Sequence, residues 1–397
     1  MPEINTFKGP VRIPPAVWVL GFVSMLMDIS SETIHSLLPV FMTVVLGASA
    51  TTVGMIEGIA EATALIAKVF SGVLSDYVGK RKSLTLLGYG MGALSKPLFA
   101  IASSAGWVLS ARFIDRIGKG IRGAPRDALI ADITDSSVRG AAFGLRQSLD
   151  TVGAFLGPLL AIGLMLLWAN NFRAVFWIAV IPGLLATALL AVGVREPEQP
   201  MRRAKPEFPI SRNALKQLPR AYWWVVIAGT ILTLARFSEA FLILRAQQGG
   251  LALALSPFII VLMNIVYALG AYPFGRLADG MSHRALLIMG IVPLIVADLL
   301  LAQSGQLPWV AAGAVFWGLH MAATQGLLAA MVADTAPAAL RGTAFGLFNL
   351  AGGLAMLAAS VTAGLLWDAL GAAATFQAGA AFASAALCLL LLKRWLP

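Results

Sequence analysis

Charged residues are scarce in this chain, and that scarcity excludes most soluble functions. Asp, Glu, Lys and Arg together make up 12% of 397 residues, against about 25% in a soluble globular protein. There is one cysteine, Cys388, inside an apolar run, so neither a disulfide framework nor a Cys-based metal site is available. The three histidines, His35, His283 and His320, are far apart in sequence and fit no metalloprotease pattern. No phosphate-binding GxxxxGK[ST] string occurs, which argues against ATP as the energy source. No Ser/His/Asp arrangement stands out, so the chain is not expected to be an enzyme or to carry a cofactor. Met1 to Asn5 do not read as a cleavable leader.

What is abundant is apolar sequence: 59% of residues are hydrophobic and the mean hydropathy is +0.83. Nearly every stretch of about 20 residues is long and apolar enough to cross a bilayer as a helix. Continuous rather than alternating hydrophobicity excludes a membrane β-barrel, and backbone groups in lipid then have to be satisfied within helices. We read an all-α membrane protein with twelve spans, at about 15–46, 52–75, 84–104, 106–128, 139–168, 172–194, 221–246, 254–278, 285–303, 307–333, 340–368 and 372–393.

The net charge of +10 has a topological explanation that needs no nucleic acid. With the N-terminus in the cytoplasm, Lys80, Arg81, Lys82, Arg122, Arg126, Arg139, Arg284 and Arg341 fall on cytoplasmic loops or span ends, and Lys393 and Arg394 on the cytoplasmic tail. External connections such as 47–50 and 103–106 carry no charge. This asymmetry predicts a multi-pass protein of a bacterial inner (plasma) membrane with both termini cytoplasmic. Residues 195–220, rich in Pro, Arg and Lys, read as a linker between units 1–194 and 221–397. The units repeat: Val138-Arg139-Gly140-Ala141-Ala142-Phe143-Gly144-Leu145 matches Leu340-Arg341-Gly342-Thr343-Ala344-Phe345-Gly346-Leu347 at an offset of 202, and Asp132 and Asp334 share it. Duplicated halves put a binding site near the midplane between them.

Ionisable residues inside spans cost about 2.5–3.5 kcal/mol each on insertion scales, so each invites a functional reading. Asp28, Glu32 and His35 share one face of span 1, and Glu57 and Glu61 share one face of span 2 at similar depth. Four carboxylates so placed cannot all stay ionised, which suggests a proton-binding site that His35 joins. Lys68, further down span 2, is a candidate counter-ion for Glu61 or Asp28. The competing reading is a neutralised structural network. Arg146 and Asp150, four apart, and Arg236 and Glu239, three apart, are expected to pair. His320, Asn264 and Tyr267 are further midplane candidates, and Asp298 is expected to be peripheral.

Three strings resemble signatures of the major facilitator superfamily. Gly72-Val73-Leu74-Ser75-Asp76-Tyr77-Val78-Gly79-Lys80-Arg81-Lys82 is similar to its loop motif between spans 2 and 3. A degraded copy, Gly275-Arg276-Leu277-Ala278-Asp279, sits in the second half. The role that this resemblance implies is a lock on the outward-facing state. Ala111-Arg112-Phe113 resembles the span-4 arginine motif, with Asp115 where glutamine is usual and Arg116 where glycine is usual. The charged continuation to Asp127 is expected to form ion pairs at the cytoplasmic gate. Gly144, Gly153 and Gly157-Pro158 resemble the span-5 antiporter signature of drug exporters, although small residues also serve simple packing and Pro158 introduces a kink. The strings Asp28-Ile29-Ser30-Ser31-Glu32, Ile56-Glu57-Gly58-Ile59-Ala60-Glu61-Ala62 and Gly118-Lys119-Gly120-Ile121-Arg122 look like a widespread prokaryotic subgroup of that superfamily.

The resemblance implies twelve helices in two pseudo-symmetric six-helix bundles. It also implies secondary transport of a small-molecule or ion substrate by alternating access, with protons and membrane lipid as the other partners and a monomer as the working form. Proton-coupled export is the leading reading. The alternatives are import of a nutrient, metal ion or metal chelate, for which carboxylates with His35 and His320 would suit a divalent cation, and a non-transporting sensor, which would normally add soluble domains. The metal ligands, if any, are unknown.

Overall fold

The computed structural model describes residues 13–78, 80–135, 137–196, 212–278, 280–303, 306–337 and 340–392. The described residues form twelve long helices. The first bundle holds α1 (Pro15–Val45), α2 (Ala50–Val78), α3 (Arg81–Ala100), α4 (Ala105–Ile133), α5 (Arg139–Leu167) and α6 (Phe172–Gly193). The second holds α7 (Arg220–Gln248), α8 (Phe258–Ala278), α9 (His283–Ala302), α10 (Leu307–Thr335), α11 (Arg341–Leu370) and α12 (Ala372–Leu392). A short helix, Arg212–Gln217, precedes α7.

Two spans read as continuous are broken. α1 is regular over Pro15–His35, then turns at Ser36–Leu37 and ends in a π-helical turn, Phe41–Val45. α7 stops at Ala235 and resumes at Ala240, leaving Arg236 to Glu239 outside the helix. Local capping sets several starts: Ser104, Asn171 and Ser282 accept the backbone N–H of Trp107, Ala174 and Ala285, each satisfying one otherwise orphaned donor.

Among the described residues, nine helices are long and apolar enough to cross a membrane by length and composition. α2, α3 and α4 fall outside that count, and they are the helices that carry most of the chain's buried charge. Their charges are tolerable only because these helices lie against one another and against α1, α5 and α6.

The offset of 202 extends well beyond the matching string. α3 and α9 begin and end 202 positions apart, and α5 and α11 begin so. On the face carrying the basic loops, Arg81 pairs with Asp132 at 2.7 Å and His283 lies 3.7 Å from Asp334. Both partners of the second contact stand 202 positions after those of the first.

The two bundles meet mainly along α2 and α11, with a smaller contact between α5 and α8. Glycines let α2 and α11 approach closely. A Cβ on Gly54 would collide with the carbonyl oxygen of Ser360, and one on Gly364 would sit 2.6 Å from that of Ala50. At the face opposite the basic loops, Asp368 of α11 accepts the first two backbone N–H groups of α2, from Ala50 at 3.1 Å and Thr51 at 2.8 Å. A carboxylate there meets the positive end of the α2 dipole.

Gly54→Leu is therefore expected to lower the detergent-solubilised protein's stability by about 1–3 kcal/mol through overpacking. Gly90→Ala, where a Cβ meets nothing within 4 Å, should be neutral or slightly stabilising. Thermal denaturation curves of the two variants compare them directly.

Candidate functional site

α4 brings the charges together. Arg112, Arg116, Lys119, Arg122 and Arg126 follow at intervals of three or four, with Asp115 just before Arg116, so they form one stripe along the helix. That stripe faces α1, α2 and α3. Arg112 bonds Glu57 of α2 in a close charge-assisted contact, and Arg116 Nη1 lies 3.2 Å from Glu61 Oε1. Both contacts join positions 55 apart, so parallel α2 and α4 run in register with acid and arginine repeating every four residues. Further along, Arg122 Nη2 stands 4.0 Å from Asp28 Oδ1 of α1 and its guanidinium lies 4.6 Å above the Tyr89 ring. Arg126 donates to Ser24 Oγ at 2.9 Å and to Tyr89 at 3.4 Å.

At the centre of this network is a wholly buried ion pair. Lys96 Nζ of α3 lies 2.7 Å from Asp115 Oδ1 and donates to Ser31 Oγ at 2.9 Å. The other oxygen of Asp115 is 3.5 Å from His35 Nε2, and His35 Nδ1 is 3.9 Å from Glu32 Oε1. A chain of ionisable groups thus leads from the buried pair through His35 to Glu32. Lys96 was absent from the sequence-level candidates. Its signal was available, since it lies within an otherwise apolar run and 202 positions before Asp298. Asp298 is also fully buried, with neither carboxylate oxygen hydrogen-bonded among the described residues. It does not line the cavity described below, but it is enclosed in the bundle rather than at its edge.

Several expectations need correction. Asp115 does not stand at a gate on the basic face: it lies about 15 Å along a helix about 43 Å long, nearer the opposite end, where its partners come from α1 and α3. Arg112 is nearer still to the opposite face, paired with Glu57. Lys68 pairs with neither Glu61 nor Asp28, because α4 supplies an arginine to each. Arg236 and Glu239 form no ion pair, since the break in α7 removes the helical i, i+3 geometry between them. His320 is fully buried on α10 with Nδ1 2.7 Å from the carbonyl oxygen of Gly290, so it packs α10 against α9 and never meets His35. Among the described residues, no three His, Cys, Asp or Glu side chains converge to hold a metal ion. The two-histidine basis for a divalent cation is therefore missing.

Other candidates have plainer places. Arg146 pairs with Asp150 one turn on in α5. Gly153 and Gly157 let α5 close on α1: a Cβ on Gly153 would lie 3.0 Å from Asp28 Cβ, and one on Gly157 would lie 2.7 Å from Glu32 Cβ. Pro158 is buried within α5. Gly72 and Asp76 lie near the end of α2, Lys80 is exposed, and Arg81 holds Asp132. Gly275 lies in the last turn of α8, where an added Cβ would meet nothing within 4 Å. Gly79 and Asp279 lie outside the described residues.

Between the bundles lies a cavity of about 910 Å³, lined from the first half by residues including Asp28, Glu32, Glu61, Lys68 and Lys119 and from the second by Glu239, Asn264 and Tyr267. It reaches Arg126, Asp127 and Gln147, toward the basic face. A smaller chamber of about 370 Å³ adjoins it toward the opposite face and adds Glu57, Arg112, Arg116, His35 and Arg236 to the lining. Glu32, Glu61, Lys119, Glu239 and Ile260 line both. The arrangement suits reversible binding of a charged or polar solute between two moving halves, with ionisable groups beside it.

Removing one member of the buried pair should be costly. Lys96→Met leaves Asp115 with its main counter-charge gone and is expected to destabilise the protein by about 3–5 kcal/mol. Adding Asp115→Leu should restore most of that loss. A thermal-denaturation double-mutant cycle in detergent measures the coupling.

The model of the family described as the Major Facilitator Superfamily matches residues 20–264 and 240–397. An uncharacterized MFS-type transporter of Methanocaldococcus jannaschii is 34% identical over 359 residues, 88% of this chain and 88% of its own. The quinolone resistance protein NorA of Staphylococcus aureus is 25% identical over 222 residues, 55% of this chain and 54% of its own. Among solved structures, a POT family transporter crystallised with a thioalcohol-conjugated peptide superposes with a TM-score of 0.80 at 15% identity, covering 97% of this chain and 96% of that one. Twelve helices in two related bundles around a charged central cavity, together with these matches along its length, show that this chain belongs to the major facilitator superfamily.

Proposed function

We propose that this chain is a proton-coupled secondary transporter that exports a small solute by alternating access. Its moving units are residues 1–194 and 221–397, joined by the basic linker 195–220. The basic face is cytoplasmic, in the inner (plasma) membrane, and the chain works as a monomer.

The observation that carries the proton assignment is the position of Glu32. It lines both chambers of the cavity, whereas each of the other first-half acids there, Asp28, Glu57, Glu61, Asp127 and Asp150, has an arginine within 4.0 Å. The neighbour within ion-pair range of Glu32 is His35, at 3.9 Å, itself backed by Asp115. A carboxylate open to the cavity, with a histidine behind it and no fixed guanidinium, can exchange a proton with the aqueous side that the cavity faces. Gly157 sets the α5 backbone against Glu32 Cβ, so a shift of α5 on α1 would change what that carboxylate meets. Export is favoured by two further points: part of the chain is similar to a quinolone resistance protein, and α5 carries the glycine series of exporters.

Proteoliposomes holding a pH-sensitive dye test the proton assignment. A panel of organic solutes that includes a quinolone should contain at least one whose gradient drives proton movement through the wild type. Glu32→Gln should reduce that movement at least about tenfold, and by more than it reduces solute counterflow. Solute transport without proton movement in the wild type, or unchanged coupling in Glu32→Gln, would sink the assignment.

Alternating access also requires the opposite face to part. The two bonds from Ala50 and Thr51 to Asp368 must then break. Asp368→Ala removes a helix N-terminal carboxylate, an effect of about 0.5–2 kcal/mol, and should shift the population toward opening at that face. In a Cys388→Ser background, Ser36→Cys should react faster with a membrane-impermeant thiol reagent added from outside when Asp368 is replaced. An unchanged rate argues against the latch.

A further inference from the structure

The cavity carries two sets of charges, and only one is already neutralised. Arg112, Arg116 and Arg122 face Glu57, Glu61 and Asp28, and Arg126 faces Asp127 at 3.1 Å. Asp150 is held by Arg146. Among the described residues, this leaves Glu32 and Glu239 without a Lys or Arg within 4.0 Å, and Lys68, Lys119 and Arg236 without an acid. Lys68 lies further toward the basic face. The other four surround the junction of the two chambers: Glu32, Lys119 and Glu239 line both, and Arg236 lines the smaller one. They share one electrostatic neighbourhood, since Lys119 acts on Glu32 and both act on Glu239, as does Arg236.

Their distribution between the halves is equally informative. Glu32 of α1 and Lys119 of α4 belong to the first bundle, and Arg236 and Glu239 of the α7 break to the second. Each half therefore offers one acid and one base to the same space. Arg236 and Glu239 are displayed there because α7 is broken, and in a continuous helix their i, i+3 spacing would let them satisfy each other. Charges of both signs that face one solvent-reached cavity without a partner are free to be answered by a ligand. Apolar and aromatic neighbours, among them Phe155, Ile260 and Tyr267, supply the remaining wall, and the chambers fall within the about 300–1,000 Å³ usual for organic ligands.

We propose that the transported solute is amphoteric: an organic molecule bearing both an ammonium and a carboxylate or phosphate group. Its anionic group sits between Lys119 and Arg236 and its cationic group between Glu32 and Glu239, so that each end is held by both halves. This rests on the transport reading above, to which it adds the substrate class. A solute of one sign leaves half of this set unanswered. An amphoteric one draws the two halves together, which gives its binding a preferential stabilising effect on the closed intermediate.

The experiment is a binding screen on the detergent-purified full-length protein, read by thermal shift. It uses matched triplets on shared scaffolds: aromatic and aliphatic amino acids and aminoalkyl phosphates, their esters, which keep only the cation, and their N-acetyl derivatives, which keep only the anion. Amphoteric members are expected to stabilise the protein, and both blocked forms to bind at least about tenfold more weakly. Lys119→Met and Arg236→Met should weaken the amphoteric ligand about tenfold or more yet leave the ester's affinity unchanged, and Arg236→Lys should recover part of the loss. A variant that merely damaged the fold would weaken both ligands alike. Binding confined to singly charged compounds, no stabilisation by any amphoteric compound, or equal effects of the variants on both forms would overturn the inference. Proteoliposome flux of the same compounds separates the two readings. Selective amphoteric binding without flux upholds the amphoteric binding site and defeats the transport reading, whereas flux of singly charged solutes alone upholds transport and overturns the amphoteric site.

Discussion

The Lys96–Asp115 ion pair is the contact around which the first bundle is arranged. Both side chains are almost fully removed from solvent, and neither charge is tolerable there without the other. Satisfying them needs α3 and α4 to touch along their length, Ser31 of α1 to reach Lys96, and His35 to turn toward Asp115. Gly88 and Gly118 allow that approach: a Cβ on either would stand 2.6 Å from the other's carbonyl oxygen. Once α4 is seated, its guanidinium stripe has no choice of neighbours. Glu57 and Glu61 of α2 lie in register with Arg112 and Arg116, and Asp28 of α1 lies near Arg122. The charged interior thus acts as a template that sets how α1, α2, α3 and α4 are rotated about their own axes.

The second bundle repeats the backbone plan with few of the charges. The positions 202 after Lys96 and Asp115 hold Asp298 and Trp317, and those after His35 and Glu32 hold Phe237 and Leu234. Phe237 packs on Phe241, Trp317 and Phe376 at ring separations of 5.4–5.7 Å, where its counterpart His35 bridges Asp115 and Glu32. One half is held by ion pairs and the other by aromatic packing. Among the described residues, the second half contributes charge to the cavity only where α7 breaks. This division of labour gives the solute path a polar wall that is largely fixed and a facing wall whose charges sit on an interrupted helix.

Much of this was legible beforehand, and the physical reason is the bilayer. Hydrocarbon demands long apolar helices, so most of them stand out by hydropathy, and only the charged α2, α3 and α4 do not. The fold repeat survives as a constant offset in Arg139 and Arg341. The four-residue spacing of Glu57 and Glu61 on α2 and of Asp28 and Glu32 on α1 put those acids on definite helix faces. Less legible was what each acid meets. Four carboxylates were read as mutual neighbours that repel. In the fold, three of them, Asp28, Glu57 and Glu61, face arginines whose spacing on α4 was visible but was assigned to the basic face.

The sequence by itself therefore determined the helices, the duplication and the identity of the buried charges, because these follow from local composition and periodicity. Only the tertiary structure decided the pairing: that Lys96 answers Asp115, that His320 is spent on a carbonyl of α9, and that Glu32, Lys119, Arg236 and Glu239 are left facing one another across the cavity. Pairing depends on the rotation of one helix against another and on where a helix breaks. Neither is encoded within any single span, since both are settled by which charges and which glycines happen to face each other when twelve helices are assembled.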